Sequence, residues 1–269
     1  MLQAVARPRS LAEARSILGG NPRATILAGG TVVMPVLNYG TDAFDTLVSL
    51  RASGLSEVSI AGERATIGAM TTLSALEAQP ELSFLLPALD AIGSPTLRNM
   101  ATVGGNLFVK PPYGDFAACL IALGAEATIA GPAGNRSEPV EKTVAAPHGR
   151  DEIVTAVSFA LPTAGTFKFR KAARKAFNSA AIVTVAAVIA ADAGIVSACR
   201  IALGGVAKSV FRALSVEAVL AGKPFDRANV EAAAAEARND IAPTDDAYAS
   251  AWYRARVTPV HIRRALIGE

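Results

Sequence analysis

Hydrophobic positions along this chain fall into short runs, each stopped by glycine, proline or a polar turn. Leu11 to Leu18 has helical spacing, with Ser10 placed to cap it and Glu13 at the third helical position, the arrangement of a capping box. Gly19-Gly20-Asn21-Pro22 stops that helix, and Ala24-Thr25-Ile26-Leu27-Ala28 predicts a buried strand running into Gly29-Gly30. A short helix over Val32 to Leu37, with a proline near its start, and a buried strand over Asp45 to Leu50 follow. Strand, loop, helix and strand in that order predict a small α/β subdomain over residues 1–53.

From Leu55 the pattern changes. Val58 to Ala61 and Ala65 to Gly68 alternate around Gly62-Glu63-Arg64, the signature of a hairpin. Thr72 or Ser74 can cap a helix ending near Gln79-Pro80, and Phe84 to Ile92 suits a second helix. Phe116 to Leu123 reads as helix, Ala125 to Ala130 and Ile153 to Leu161 as strands, predicting an α+β subdomain with an antiparallel sheet over 54–164. Two long strands then flank the Asp192-Ala193-Gly194 turn, followed by helices over Val216 to Leu220, Val230 to Arg238 and Tyr248 to Ile267. These form a third unit, residues 165–269, opened by the basic stretch Gly165 to Asn178.

Composition narrows the function classes. Half the residues are hydrophobic (51%) and only 18% are charged, so a substantial core forms and disorder is excluded. The net charge of +3 and the 6% aromatic content leave no interleaved basic and aromatic surface for nucleic acid. Cys119 and Cys199 are too few to ligate an iron–sulfur cluster and read as buried free thiols. The apolar run from Ala180 to Ala191 is too short for a membrane span, and no export signal opens the chain, so the expected compartment is the cytoplasm. His148 and His261 read as surface residues. With no nucleophile elbow or metal-ligand cluster, chemistry would have to come from a bound cofactor.

The candidate cofactor residues lie at two glycine turns, Ala28-Gly29-Gly30-Thr31 and Ala101-Thr102-Val103-Gly104-Gly105-Asn106. Either alone reads as a strand turn; neither is a Walker loop or a GxGxxG fingerprint. Together they can grip one diphosphate, through free backbone N–H groups, threonine hydroxyls and the Asn106 amide. Asp115 opens a helix just beyond the second turn. It serves there either as an N-cap or as an acceptor for a nucleotide's ribose.

These residues resemble the FAD-binding medium subunit of the molybdenum hydroxylases, the relatives of carbon monoxide dehydrogenase and xanthine dehydrogenase. The likeness runs from Ala28-Gly29-Gly30 through Thr102-Val103-Gly104-Gly105-Asn106, Asp115 and Glu152-Ile153-Val154. It continues through Phe169-Arg170-Lys171 to Gly204-Gly205-Val206, nearly the whole chain. The resemblance implies a vanillyl-alcohol-oxidase-type (PCMH-type) FAD fold of two α/β subdomains. A C-terminal α+β domain with a three-stranded antiparallel sheet would follow. It implies FAD between the first two subdomains, with Leu27, Ala28, Gly29, Gly30, Thr31, Val32 and Val33 on one side of the diphosphate. Ala101, Thr102, Gly104, Gly105 and Asn106 would lie on the other, with Asp115 at the nucleotide half and Val154 and Arg170 near the flavin. It further implies a large molybdopterin subunit and a small 2Fe–2S subunit as partners, in a dimer of heterotrimers. Electrons would pass from the clusters through FAD to an external acceptor. The sequence departs from the pattern at Thr31-Val32, where relatives carry a polar residue and serine. The competing readings are a flavin-less scaffold of the same fold and a free-standing reductase using NAD(P)H.

Overall fold

The protein is represented by a computed structural model describing residues 2–146, 148–176 and 178–268. Met1, Pro147, Phe177 and Glu269, which fall within the expected domain spans, lie outside the described residues. Three sheets succeed one another along the chain. The first is a parallel sheet in the order β1-β3-β2, from β1 (Ala4–Ala6), β2 (Ala24–Leu27) and β3 (Thr46–Ser49), with α1 (Leu11–Gly20) and α2 (Val33–Asn38) as connections. Ser10 caps α1 by accepting from the Glu13 N–H at 3.1 Å, while the Glu13 carboxylate accepts the N–H of Arg9 rather than that of the cap. Central β3 is buried. β2 is only half-buried along its length, contrary to the expectation of a buried strand, because it is an edge strand.

The second sheet is antiparallel, in the order β4-β5-β8-β6-β7. Its strands are β4 (Val58–Ala61), β5 (Arg64–Gly68), β6 (Glu126–Gly131), β7 (Gly134–Pro139) and β8 (Ile153–Ala160). Between β5 and β6 run α3 (Leu73–Glu77), a 3-10 turn over Pro80–Leu85, α4 (Leu86–Asp90), α5 (Pro95–Arg98), α6 (Val103–Leu107) and α7 (Asp115–Ala122). α8 (Val140–Ala145) follows β7. Every residue of α7 is buried, which explains its uniformly apolar sequence after Asp115.

The third sheet has four antiparallel strands, β12-β11-β10-β9, where three were expected. The addition is a two-residue strand, β12 (Phe211–Arg212), too short to leave an alternating pattern. β9 (Phe167–Ala173) is the opposite edge; β10 (Ala181–Asp192) and β11 (Ile195–Gly204) form the long hairpin. Ala193 and Gly194 take φ of 48° and 81° at its turn, the pair of positive angles that a tight hairpin needs. β10 is apolar on both faces because each is covered. Val183, Val185 and Ala187 face the core formed with α9 (Leu214–Leu220), α10 (Arg227–Ala235) and α11 (Ala251–Ile267). Ala186 belongs to the core around α7, which packs against β10 and β11. Arg254, only 1% exposed, fastens α11 to the sheet: it donates to the carbonyls of Ala181, Ile182 and Gly205 and pairs with Asp246 at 2.7 Å. Among the described residues no helix is long and apolar enough to cross a membrane.

Candidate cofactor site

The first glycine turn leaves the end of edge strand β2 and leads into α2. Gly30 sits at φ +76°, a conformation that glycine adopts without penalty. Among the described residues, no acceptor takes the N–H groups of Gly29, Gly30, Thr31, Val32 or Val33, so these donors are unspent. Val32 exposes its side chain, and Thr31 is half-buried beside it.

The second turn is held differently. Arg98 pairs with Glu77 and donates to the Ile92 carbonyl, anchoring the segment that leads into it. Thr102 caps α6, its hydroxyl accepting from the Gly105 N–H at 3.1 Å. The N–H of Val103 goes to the Thr71 carbonyl, that of Gly104 to the Ala69 carbonyl at 2.8 Å, and that of Asn106 to Thr102. Free donors were expected in both turns. Here they belong to the first, and the second spends its own on the segment between β5 and α3.

What the second turn contributes is closeness. A Cβ placed on Gly29 would lie 1.8 Å from the Met100 carbonyl oxygen, so the two turns touch through bare backbone. A Cβ on Gly105 would come 3.9 Å from that of Ala28, and one on Gly104 would meet the Cβ of Ala69 at 2.9 Å. The structure therefore brings together Leu27 to Val33 with Ala101 to Asn106, the two groups separated in sequence. Two buried side-chain atoms without a partner lie at this junction, Oδ1 of Asn106 and Oγ1 of Thr71. Val154 joins the same neighbourhood: the Ala69 N–H donates to Thr155 at 2.8 Å, where β8 bulges out of register beside Val154.

Asp115 is placed otherwise than either reading anticipated. Gly114, at φ 95°, occupies the cap position, and the Asp115 side chain makes no capping bond. The carboxylate, 5% exposed, accepts from Lys171 Nζ at 2.7 Å and from the Thr184 hydroxyl, tying α7 to β9 and β10. Lys171 also donates to the Ala91 carbonyl at 2.9 Å. Arg170, next along β9, lines a separate cavity against α11 with His261 and Arg264. There burial, and then the charges of Arg170 and Arg264, hold the His261 imidazole below its ordinary pKa. Cys119 is buried and free; Cys199 is free but half-buried, against the expectation of full burial.

Sequence reasoning overlooked Thr71 and Ala69, which carry the second turn, and Lys171 and Thr184, which hold Asp115. A Thr71-Thr72 pair before an apolar helix signals one cap, at Thr72; nothing local shows that Thr71 faces the glycine turn.

The chain is similar to known proteins along nearly its whole length. Residues 2–163 match the family model described as the FAD binding domain in molybdopterin dehydrogenase. Residues 167–268 match the CO dehydrogenase flavoprotein C-terminal domain. The chain is 31% identical over 276 residues to the carbon monoxide dehydrogenase medium chain of Afipia carboxidovorans, covering 97% of this chain and 94% of that one. It is 29% identical over 270 residues to the glyceraldehyde dehydrogenase medium chain of Sulfolobus acidocaldarius, covering 96% and 95%. A solved carbon monoxide dehydrogenase from Hydrogenophaga pseudoflava, lacking the Mo-pyranopterin moiety, superposes with a TM-score of 0.92 at 29% identity, covering 99% of this chain and 96% of that one.

Proposed function

Since the chain belongs to the FAD-binding medium-subunit family of the molybdopterin dehydrogenases, we propose that it holds FAD where its two glycine turns meet. It is a flavoprotein oxidoreductase component of PCMH-type fold; molybdenum and iron–sulfur clusters belong to partner subunits. The observation that carries the site assignment is the run of unspent N–H groups from Gly29 to Val33, closed over by a side-chain-free wall at Gly105. Consecutive N–H groups form a partly positive concavity suited to diphosphate oxygens. A residue with a Cβ at Gly29 would fill the space between the turns.

In this reading Gly29 to Val33 supply backbone donors to the diphosphate with Leu27 and Ala28 beside them, and Ala101, Thr102, Gly104, Gly105 and Asn106 close over it. Val154 borders the flavin end; Arg170, expected near the flavin, lines the cavity beside α11 with His261 and Arg264. Asp115 has both oxygens engaged already. A carboxylate accommodates about four donors, so a ribose hydroxyl would join Lys171 and Thr184 rather than replace them. Bound FAD supplies transfer of one or two electrons, here from a partner's clusters to an external acceptor. The absence of a side-chain donor at Val32 lends no weight to a flavin-less scaffold, because the Val32 N–H is available.

The large and small subunits are the expected partners, in a dimer of heterotrimers. An apolar surface that wants cover supports partnership: α2 buries no side chain, and Val32, Met34, Val36 and Tyr39 stand exposed along it. The same proposal takes residues 1–53 and 54–164 as the two FAD-binding subdomains and 165–269 as the C-terminal domain. It assigns the complex to the cytoplasm, which cell fractionation checks. The purified chain should be yellow and release FAD on denaturation. A colourless chain that takes up no added FAD refutes the proposal.

A further inference from the structure

The segment from Phe108 to Tyr113 runs between two residues of the cofactor reading, Asn106 of the second glycine turn and Asp115 at the head of α7. Its backbone is fastened to little but itself. Among the described residues, the N–H groups of Phe108, Val109 and Tyr113 donate to Gly105, Asn106 and Lys110, and no backbone bond ties the segment to any element but α6, which it leaves. Pro111 and Pro112 lack N–H groups and fix φ, so the piece moves as a stiff strap. Behind it lies a cavity of about 170 Å³, walled by Phe108, Lys110 and Pro111 of the strap and by Ala117 of α7, Val144 of α8 and Val210. The strap thus bridges a gap, and two aromatic contacts hold it. Phe108, 52% exposed, sets its ring edge-on to that of His148, with centroids 5.7 Å apart. Tyr113, 45% exposed, shares a 2.7 Å hydroxyl–hydroxyl bond with Tyr248, across to the C-terminal domain. Both posts are fixed. His148 Nε2 lies 2.7 Å from the Thr143 carbonyl, and the N–H groups of Tyr248 and Ala249 donate to Asp246, itself paired with the buried Arg254.

We propose that Phe108 to Tyr113 form a movable strap beside the FAD site, and that the Tyr113–Tyr248 bond is the latch setting how fast FAD enters and leaves. The inference rests on the reading that FAD is held at the glycine turns. The cofactor then touches residues at both ends of the strap, which borders its path. The latch is weak enough to open. Both tyrosines are exposed, so water can take either place in the bond, and breaking it shifts an equilibrium by only about two- to tenfold. Asp115 keeps the far end in place meanwhile, because its buried bonds to Lys171 and Thr184 hold α7 to the C-terminal sheet. A latch that does not touch FAD acts on the empty and the loaded protein alike. It therefore changes both rates by the same factor and leaves their ratio, the affinity, unmoved.

The test is stopped-flow measurement of FAD binding and release, followed by flavin fluorescence, on the subunit complex stripped of FAD and reloaded. Tyr248→Phe, Tyr113→Phe and the double substitution are compared with the parent. Each removes a hydroxyl from an exposed side chain and keeps the ring, so the fold is retained. Both rates should rise by about two- to tenfold in either single variant, with the dissociation constant changed by less than about twofold. The double variant should be no faster than a single one, because all three lose the same bond. Faster release alone, with weakened affinity, would mean that the pair merely stabilises the loaded site, and overturns the proposal. So do effects that add in the double variant. A parent complex that takes up no FAD overturns the flavin reading and the latch with it. A parent that takes up FAD while its variants keep the parent rates overturns the latch alone.

Discussion

Gly29→Ala tests the contact between the turns directly. The added methyl would start 1.8 Å from the Met100 carbonyl oxygen and 2.7 Å from its carbon, against ordinary contact from 3.4 Å, so the turns must part by about 1.6 Å. The obstacle is backbone, and no rotamer change relieves it. Overpacking of this kind costs about 1–3 kcal/mol of stability. The effect on FAD should be larger. If two donors of the first turn lose the diphosphate, at about 1.5–3 kcal/mol for each bond to a charged group, affinity falls by roughly 10²- to 10⁴-fold. Flavin fluorescence quenching on titration into the stripped chain measures that loss, and circular dichroism melts of the flavin-free form measure the stability term separately. Gly105→Ala is the control: its methyl meets the Thr102 hydroxyl at 2.9 Å, a side-chain atom that can move, so a smaller loss is expected. A Gly29→Ala chain that retains stoichiometric FAD at parent affinity would refute the claim that touching turns form the cradle.

Other outcomes follow from the same structure. Asp115→Asn or Lys171→Met strands one member of a buried pair, which should cost about 3–5 kcal/mol, whereas the double substitution should cost less than either; denaturant melts that show simple additivity would contradict this. Because His261 is held below its ordinary pKa by burial and two arginines, the unfolded chain binds a proton more readily. Stability should therefore decline as pH falls from about 6.5 toward the lower folded value, and His261→Gln should flatten that slope in thermal melts between pH 5 and 7. The Tyr113 hydroxyl is pushed up to about 12, chiefly by its 2.7 Å hydrogen bond with Tyr248. An ultraviolet titration should show one late-ionising tyrosine that returns toward about 10 in Tyr248→Phe, and an unchanged profile would dispose of the pair.

Much of the fold was legible where the determinants are local. Ser10 caps its helix as read, Thr72 rather than Ser74 caps the next, and the Gly62-Glu63 and Ala193-Gly194 turns close their hairpins. The strands that escaped notice, β1, β7, β9 and β12, are short, polar or basic edge strands, defined by what they pair with rather than by their own pattern. At the site, glycine pairs beside threonines were visible, but the division of labour between them was not. Whether a backbone N–H is spent depends on Ala69 and Thr71, which only the fold brings alongside. Asp115 shows the same limit: its partners Lys171 and Thr184 lie 56 and 69 residues away, and no local spacing announces them.

β9 alternates between two duties. Lys171 reaches toward α7 and Asp115, while its neighbour Arg170 turns to α11 and His261, as adjacent strand residues must. Parity is thereby built into this edge. Deleting or inserting one residue ahead of Arg170 would exchange the two, leaving Asp115 opposite the wrong side chain and emptying the other wall of its guanidinium. Length variation here is thus tolerable only in steps of two, a constraint on chimeras that join the flavin half of one relative to the C-terminal half of another.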